Sequence, residues 1–245
     1  MRVLRLRQLV LATHDLDGEV ARLQELLGAT GEPYRDPGVG TFGLVNAVLT
    51  AGTDVVEVLA PRDAGSAVGR WLERRGDDGG YMLMVDGPPG LLDRDRLAVL
   101  GARVVHEAAL PDITDVHLHP KDVGGVLLAL DTVDPPGSWR WAGPAWTGTA
   151  PAATGGLRSV TIAVDDPAQV AARWAQLLDR PTTPGSSELT LDDGQRLVFA
   201  AAEGRPAGAV AATLALPVPS PRSAVVAGVA LDVQPWQPVL MEEMA

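Results

Sequence analysis

The chain contains no cysteine, so no disulfide, thiolate nucleophile or thiolate ligand enters the reading, and thiols say nothing of the redox compartment. Lysine is nearly as scarce. Lys121 is the single one among 20 basic residues, set against 31 acidic ones, for a formal net charge of −11. That balance argues against a nucleic-acid partner, because phosphate contacts need clustered Lys and Arg. No apolar run approaches a membrane span, and the opening R-V-L-R-L-R-Q breaks any signal-peptide core with charges. No membrane partner is therefore expected, and a cytoplasmic location is the default. The chain also lacks G-x-x-x-x-G-K-[ST], G-x-S-x-G, H-E-x-x-H and the dinucleotide fingerprint, which removes the commonest nucleotide, hydrolase and zinc-protease readings.

What is present is turn chemistry. With 27 glycines and 20 prolines in 245 residues, the sequence suits many short strands joined by tight turns. Residues 4–13 read as a strand, and Asp17 is a fair N-cap for a helix from Gly18 to Leu27, closed by Gly28. Strands follow at 42–50 and 54–60, with a helix from Ser66 to Arg75. A second round has a strand at Tyr81 to Val85, a helix from Leu91 to Leu100, and strands near 103–108, 115–119 and 125–131. Residues 134–154 form a Pro/Gly/Trp-rich connector. Beyond it, L-R-S-V-T-I-A-V-D-D-P-A-Q-V-A-A-R-W-A-Q-L-L repeats the strand, Asp turn and amphipathic helix of 6–27. Strands near 188–191 and 196–201 continue this third unit. Only 208–216 and 224–233 remain strand-like after it, as a truncated fourth unit.

Val116 to Asp131, V-H-L-H-P-K-D-V-G-G-V-L-L-A-L-D, reads from its residues as a β-hairpin. It resembles the closing hairpin of the methylmalonyl-CoA epimerase branch of the vicinal oxygen chelate, or glyoxalase-like, superfamily. T-D-V-V-E-V-L-A-P followed by R-D-A-G-S-A-V-G-R-W-L is similar to the same branch. The resemblance implies an α+β fold of repeated βαβββ modules, forming curled mixed sheets around a pocket. It divides the chain into a complete two-module domain at 1–133, the connector at 134–154, the third module with its truncated fourth at 155–235, and a tail at 236–245.

The resemblance also locates the site. The family's inward ligands fall on Gln8, Glu57, Gly80 (Tyr81 if the register shifts by one) and Ala129, and its general-base glutamate falls on Asn46. That leaves one carboxylate and one amide where a divalent cation needs three or more ligands, so no metal and no cofactor are expected. Glu57 is read either as an acid/base raised by desolvation or as a carboxylate held by Gln8. Gln8 and Asn46 orient a carbonyl or serve as satisfied core amides. His117 and His119 alternate along one strand and are expected on one face; in a metal-dependent alternative they are the substitute ligands, with Asp115 or Glu57, whereas His14 and His106 read as solvent-facing or structural. Tyr81, Met82 and Met84 are candidate pocket walls. Trp139, Trp141 and Trp146 either lid the pocket, with Trp141 on the ligand, or bury at the joint between domains.

The leading expectation is a metal-independent pocket enzyme of isomerase, lyase or cyclase type, with Glu57 and His117 as candidate catalytic groups. Its substrate would be a small, partly apolar carbonyl metabolite. A non-catalytic binder of the resistance type and a metal-dependent epimerase-like isomerase remain as alternatives. The expected partner is a small-molecule ligand, with a homodimer as an option.

Overall fold

The computed structural model describes residues 3–146 and 155–236. The end of the connector at 147–154 and the tail from 237 onward lie outside the described residues.

The first half starts with β1 (Arg5–Ala12) and α1 (Leu16–Leu27). The cap of α1 is Asp15, not Asp17: its side chain accepts from the Gly18 amide, which moves the start of the helix two residues upstream. Val20, Leu23 and Leu26 are buried on its inner face. β2 (Leu44–Ala51) and β3 (Asp54–Pro61) form a hairpin, and β3 returns parallel to β1, with Val10 opposite Glu57. After α2 (Ala67–Arg75), capped by Ser66, β4 (Gly79–Asp86) runs antiparallel to β1. The single helix expected at 91–100 is split. A short 3-10 turn occupies Pro89–Leu92, Asp93 caps a new start, and α3 spans Arg94–Val99. The split follows from Asp93, whose extended backbone lets its carboxylate accept from the Arg96 amide.

β5 (Val104–Leu110), β6 (Ile113–Leu118) and β7 (Leu127–Val133) complete this half, with β7 parallel to β4. The connection between β6 and β7 is longer than a simple hairpin turn. His119 caps a one-turn helix, α4 (Pro120–Val123), and Gly124 closes it at φ 79°.

The second half repeats the plan. β8 (Gly156–Val164), α5 (Pro167–Leu177), β9 (Glu188–Thr190) and β10 (Arg196–Ala201) follow the first module, with β10 parallel to β8. β11 (Gly208–Leu216) lies antiparallel to β8 as β4 does to β1. The stretch read as one strand at 224–233 is a hairpin of β12 (Arg222–Val226) and β13 (Val229–Pro235), turned at Ala227-Gly228 with both residues at positive φ. β13 returns parallel to β11, as β7 does to β4.

The halves meet where Ala209 of β11 pairs with Gly80 of β4. One sheet path therefore runs β2-β3-β1-β4-β11-β8-β10-β9, with β7, β6 and β5 branching from β4 and β13 and β12 branching from β11. A large core lies against one face, built from Leu9, Leu11, Leu83, Leu128, Trp174, Phe199 and Leu214 among others. The opposite face of the first half carries a second core of Val10, Val48, Val55, Met82, Met84, Ala129 and Trp139. That second core occupies the concave side, and it is where the site residues gather.

Candidate active site

Alternation along the strands sets which side chains enter the first-half cup. Gln8 pairs with Met84 and Met84 with Ala129, so these three form one cross-strand row. Glu57 sits opposite Val10 on the next strand, and Asn46 lies on β2 beyond it. The register thus brings Gln8, Asn46, Glu57, Met82, Met84 and Ala129 to one face. Arg7 joins them against the alternation that puts Arg5 and Arg7 outside together. A register shift between Leu6 and Gln8 marks a bulge, and Arg7 is 3% exposed, stacked 5.1 Å over Trp139 and 5.6 Å over Trp146.

At the bottom of the cup is a chain of polar groups. Glu57 Oε2 accepts from Gln8 Nε2 at 2.6 Å, and its Oε1 accepts from Asn46 Nδ2 at 2.6 Å. Gln8 Oε1 accepts from the Trp139 indole at 2.8 Å, and Asn46 Oδ1 from the Asp36 amide at 2.9 Å. Burial pushes Glu57 up to about 7, only partly offset by the hydrogen bonds from Asn46 and Gln8. Among the described residues, no Arg, Lys or His side chain is ion-paired with it. Trp139 itself is 1% exposed and lies in the cup rather than at the joint between the halves. Its indole needs an acceptor when buried, and Gln8 supplies one.

A 31% identical relative, the ethylmalonyl-CoA/methylmalonyl-CoA epimerase of Cereibacter sphaeroides, aligns over 135 residues, which is 53% of this chain and 98% of that protein. The chain belongs to the glyoxalase-like superfamily. No protein-family model matches it. Among solved structures, a hypothetical protein from Staphylococcus aureus is similar over 96% of this chain and 100% of its own, with TM-score 0.68 at 11% identity, a likeness of fold alone. The methylmalonyl-CoA epimerase of Mycobacterium tuberculosis is 25% identical over 53% of this chain and 88% of its own, with TM-score 0.45.

At the four positions that the sequence resemblance assigns to the family's ligands (Gln8, Glu57, Gly80 and Ala129), the side chains are an amide, a carboxylate, none, and a methyl group. Both Glu57 oxygens already accept amide N–H groups. At Gly80 an added Cβ would collide with the Ala209 Cβ and carbonyl oxygen, so the contact between the halves closes that position to any side chain. Tyr81 is half-buried at the rim, its ring edge-on to Trp71 with centroids 5.3 Å apart. This donor set does not fit a divalent cation.

His117 and His119 do not work as a pair. β6 ends at Leu118, and His119 leaves the sheet to cap α4, its Nδ1 facing the Lys121 amide at 3.1 Å. The expectation of a common face fails because the strand stops before the alternation reaches His119. His117 does face the cup, beside Ala129. Its Nε2 lies 2.8 Å from Asp115 Oδ2, and the ring of His106 lies across the strand with centroids 4.8 Å apart. Behind Asp115 stands the buried Asp131, which accepts from the Trp141 indole at 3.0 Å. Trp141 thus anchors a carboxylate. Sequence reasoning missed His106 and Asp131, although H-x-x-x-x-x-x-x-x-D-x-H spans two strands whose pairing brings His106 to His117. No helix of the described residues is long and apolar enough to cross a membrane.

Proposed function

We propose that the first-half cup is a proton-transfer site of isomerase type, acting at a carbon next to a carbonyl without a cation at the family's ligand positions. The observation that carries this reading is Glu57, a buried carboxylate raised to about 7 between two amide donors and no positive charge. Glu57 takes the proton from the carbon next to the carbonyl, and the C–H electron pair passes into an enolate. Protonation of Glu57 weakens its hold on the Gln8 and Asn46 N–H groups. Either amide is then free to donate to the enolate oxygen. Glu57 gives its proton up to solvent and a proton from water enters the other face, which inverts the centre; Met82, Met84 and Ala129 supply an apolar wall. His117 takes no part in this transfer. The relative's reaction, epimerisation of an acyl-CoA, is of this kind. A chain of net charge −11 with one lysine is poorly suited to the phosphates of coenzyme A, which favours a smaller carbonyl acid. Entry of the substrate requires the connector to withdraw Trp139 from Gln8.

Incubation in D2O with methylmalonate and with methylmalonyl-CoA as probes, followed by proton NMR, tests the reading. Loss of the signal from the carbon-bound proton is expected with the wild type. It should slow by roughly 10²–10⁴-fold in Glu57→Gln. Equal exchange in the two proteins would remove Glu57 from the chemistry.

A second reading rests on Trp139. Its indole completes the hydrogen bonding of Gln8 from within the chain, as a resident side chain does in a cup that binds without converting or has become core. If Trp139→Ala is stabilised by apolar carbonyl compounds in a thermal-shift screen, yet no proton exchanges, this reading replaces the first.

A further inference from the structure

We infer that His106, Asp115 and His117 form a binding site for a divalent transition-metal ion of the zinc class, on the outer strands of the first half and distinct from the family's ligand positions. The ligand atoms of the three side chains lie within 4.8 Å of one another. Tetrahedral coordination at Zn–N and Zn–O distances near 2 Å sets ligand atoms about 3.3 Å apart, which small side-chain rotations reach from here. His106 and His117 are half-buried and Asp115 is buried, so protein closes one side of the site and solvent reaches the other. Two imidazoles and one carboxylate with open positions suit a zinc-like ion better than calcium or magnesium, which prefer all-oxygen shells.

A second observation points to a cation. Asp86, Asp131 and Asp115 form a cross-strand row over β4, β7 and β6, all 8% exposed or less. Among the described residues, Arg7 interacts electrostatically with Asp86 and Asp131 while stacked between two indoles, and Arg5 is held by Asp54 at 2.6 Å. Asp115 Oδ1 and Asp131 Oδ2 are buried with no hydrogen-bond donor among the described residues. Carboxylates placed behind ligands, like Asp131 behind Asp115, orient them and strengthen their hold on a metal. Phe42 packs edge-on against His106, with centroids 5.4 Å apart, and fixes the remaining imidazole.

The test uses untagged protein, stripped with a chelator and titrated with Zn2+ alone at about pH 7.5. Calorimetry should show about one equivalent bound, and Co2+ should give the visible absorption of a low-coordinate site. His106→Ala/His117→Ala should weaken binding more than 100-fold, and Asp131→Asn by roughly 10- to 100-fold, while circular dichroism reports each variant folded. Glu57→Gln should bind as the wild type does. The inference is overturned if wild type binds Zn2+ no more tightly than the double variant. It is also overturned if Glu57→Gln loses the ion while His106→Ala keeps it, because the metal would then lie in the cup.

Discussion

The two halves share the same pairing of their central strands and one pair of parallel returns, although the second lacks counterparts of α3 and β5, and they treat their concave faces in opposite ways. Pairing lets the positions be matched. Ser159 meets Thr213 as Gln8 meets Met84, Thr161 meets Val198 as Val10 meets Glu57, and Thr213 meets Asp232 as Met84 meets Ala129. The set Gln8, Glu57, Ala129 in the first half thus becomes Ser159, Val198, Asp232 in the second. The first set is sealed under Trp139. The second stays half-buried or exposed, on a face lined by Thr161, Val198, Ala211 and Thr213. Even the arginine is repeated: Arg158 stacks 4.7 Å over Trp236 where Arg7 stacks over Trp139. A buried carboxylate with a raised pKa needs desolvation, and only the half with a tryptophan plug provides it.

The largest effect that should separate the halves is Trp139→Ala. It empties the first cup and strips Gln8 of its donor, for an expected loss of about 3–5 kcal/mol in urea unfolding. Trp236→Ala should cost under about 1 kcal/mol, because its ring is half-exposed. Similar losses would mean that the two cups are filled alike.

Glu57 gives a pH signature that the second half lacks. Its folded-state value of about 7 lies above the ordinary 4.5, so the folded protein holds the proton more tightly than the unfolded chain does. Below about 4.5 there is no penalty. As pH rises toward 7 stability falls, by about 3 kcal/mol in full. Asp54, also buried and raised to about 6, and Asp131, raised by burial beside Asp115, act with the same sign. The wild type should therefore melt at a higher temperature near pH 5 than near pH 8, and Glu57→Gln should flatten the slope between pH 5 and 7. An unchanged slope would show that Glu57 is not the group responsible.

Gly80→Ala tests the seam between the halves. The new methyl group meets the Ala209 Cβ and carbonyl, so a loss of about 1–3 kcal/mol is expected. Smallest of all should be Thr161→Val on the open face, within about 0.5 kcal/mol of wild type. A large loss there would reveal a cover over the second cup.

The sequence by itself determined most of the strand and helix order, the internal repeat and the family, but not α4, the break before Arg94 or the β12–β13 hairpin. Those signals are local: the Asp turns before α1 and α5, the apolar periodicity of both helices, and the H-P-K turn that Pro120 and Gly124 make obligatory. Gln8, Asn46 and Glu57 were legible as candidates through the resemblance to the epimerase branch, not through alternation, because β1 and β3 are buried along nearly their whole length. Alternation fails at a bulge or a strand end, which is why Arg7 turns inward and His119 leaves the face of His117.

Only the tertiary structure decided that Trp139 closes the cup over Gln8, that Ala209 forbids a side chain at Gly80, and that His106 and Asp131 stand beside His117 and Asp115. Each is a contact between segments far apart in the chain or on different strands. Such contacts are fixed by register and by the path of a connector, and neither is written in the pattern of any single stretch.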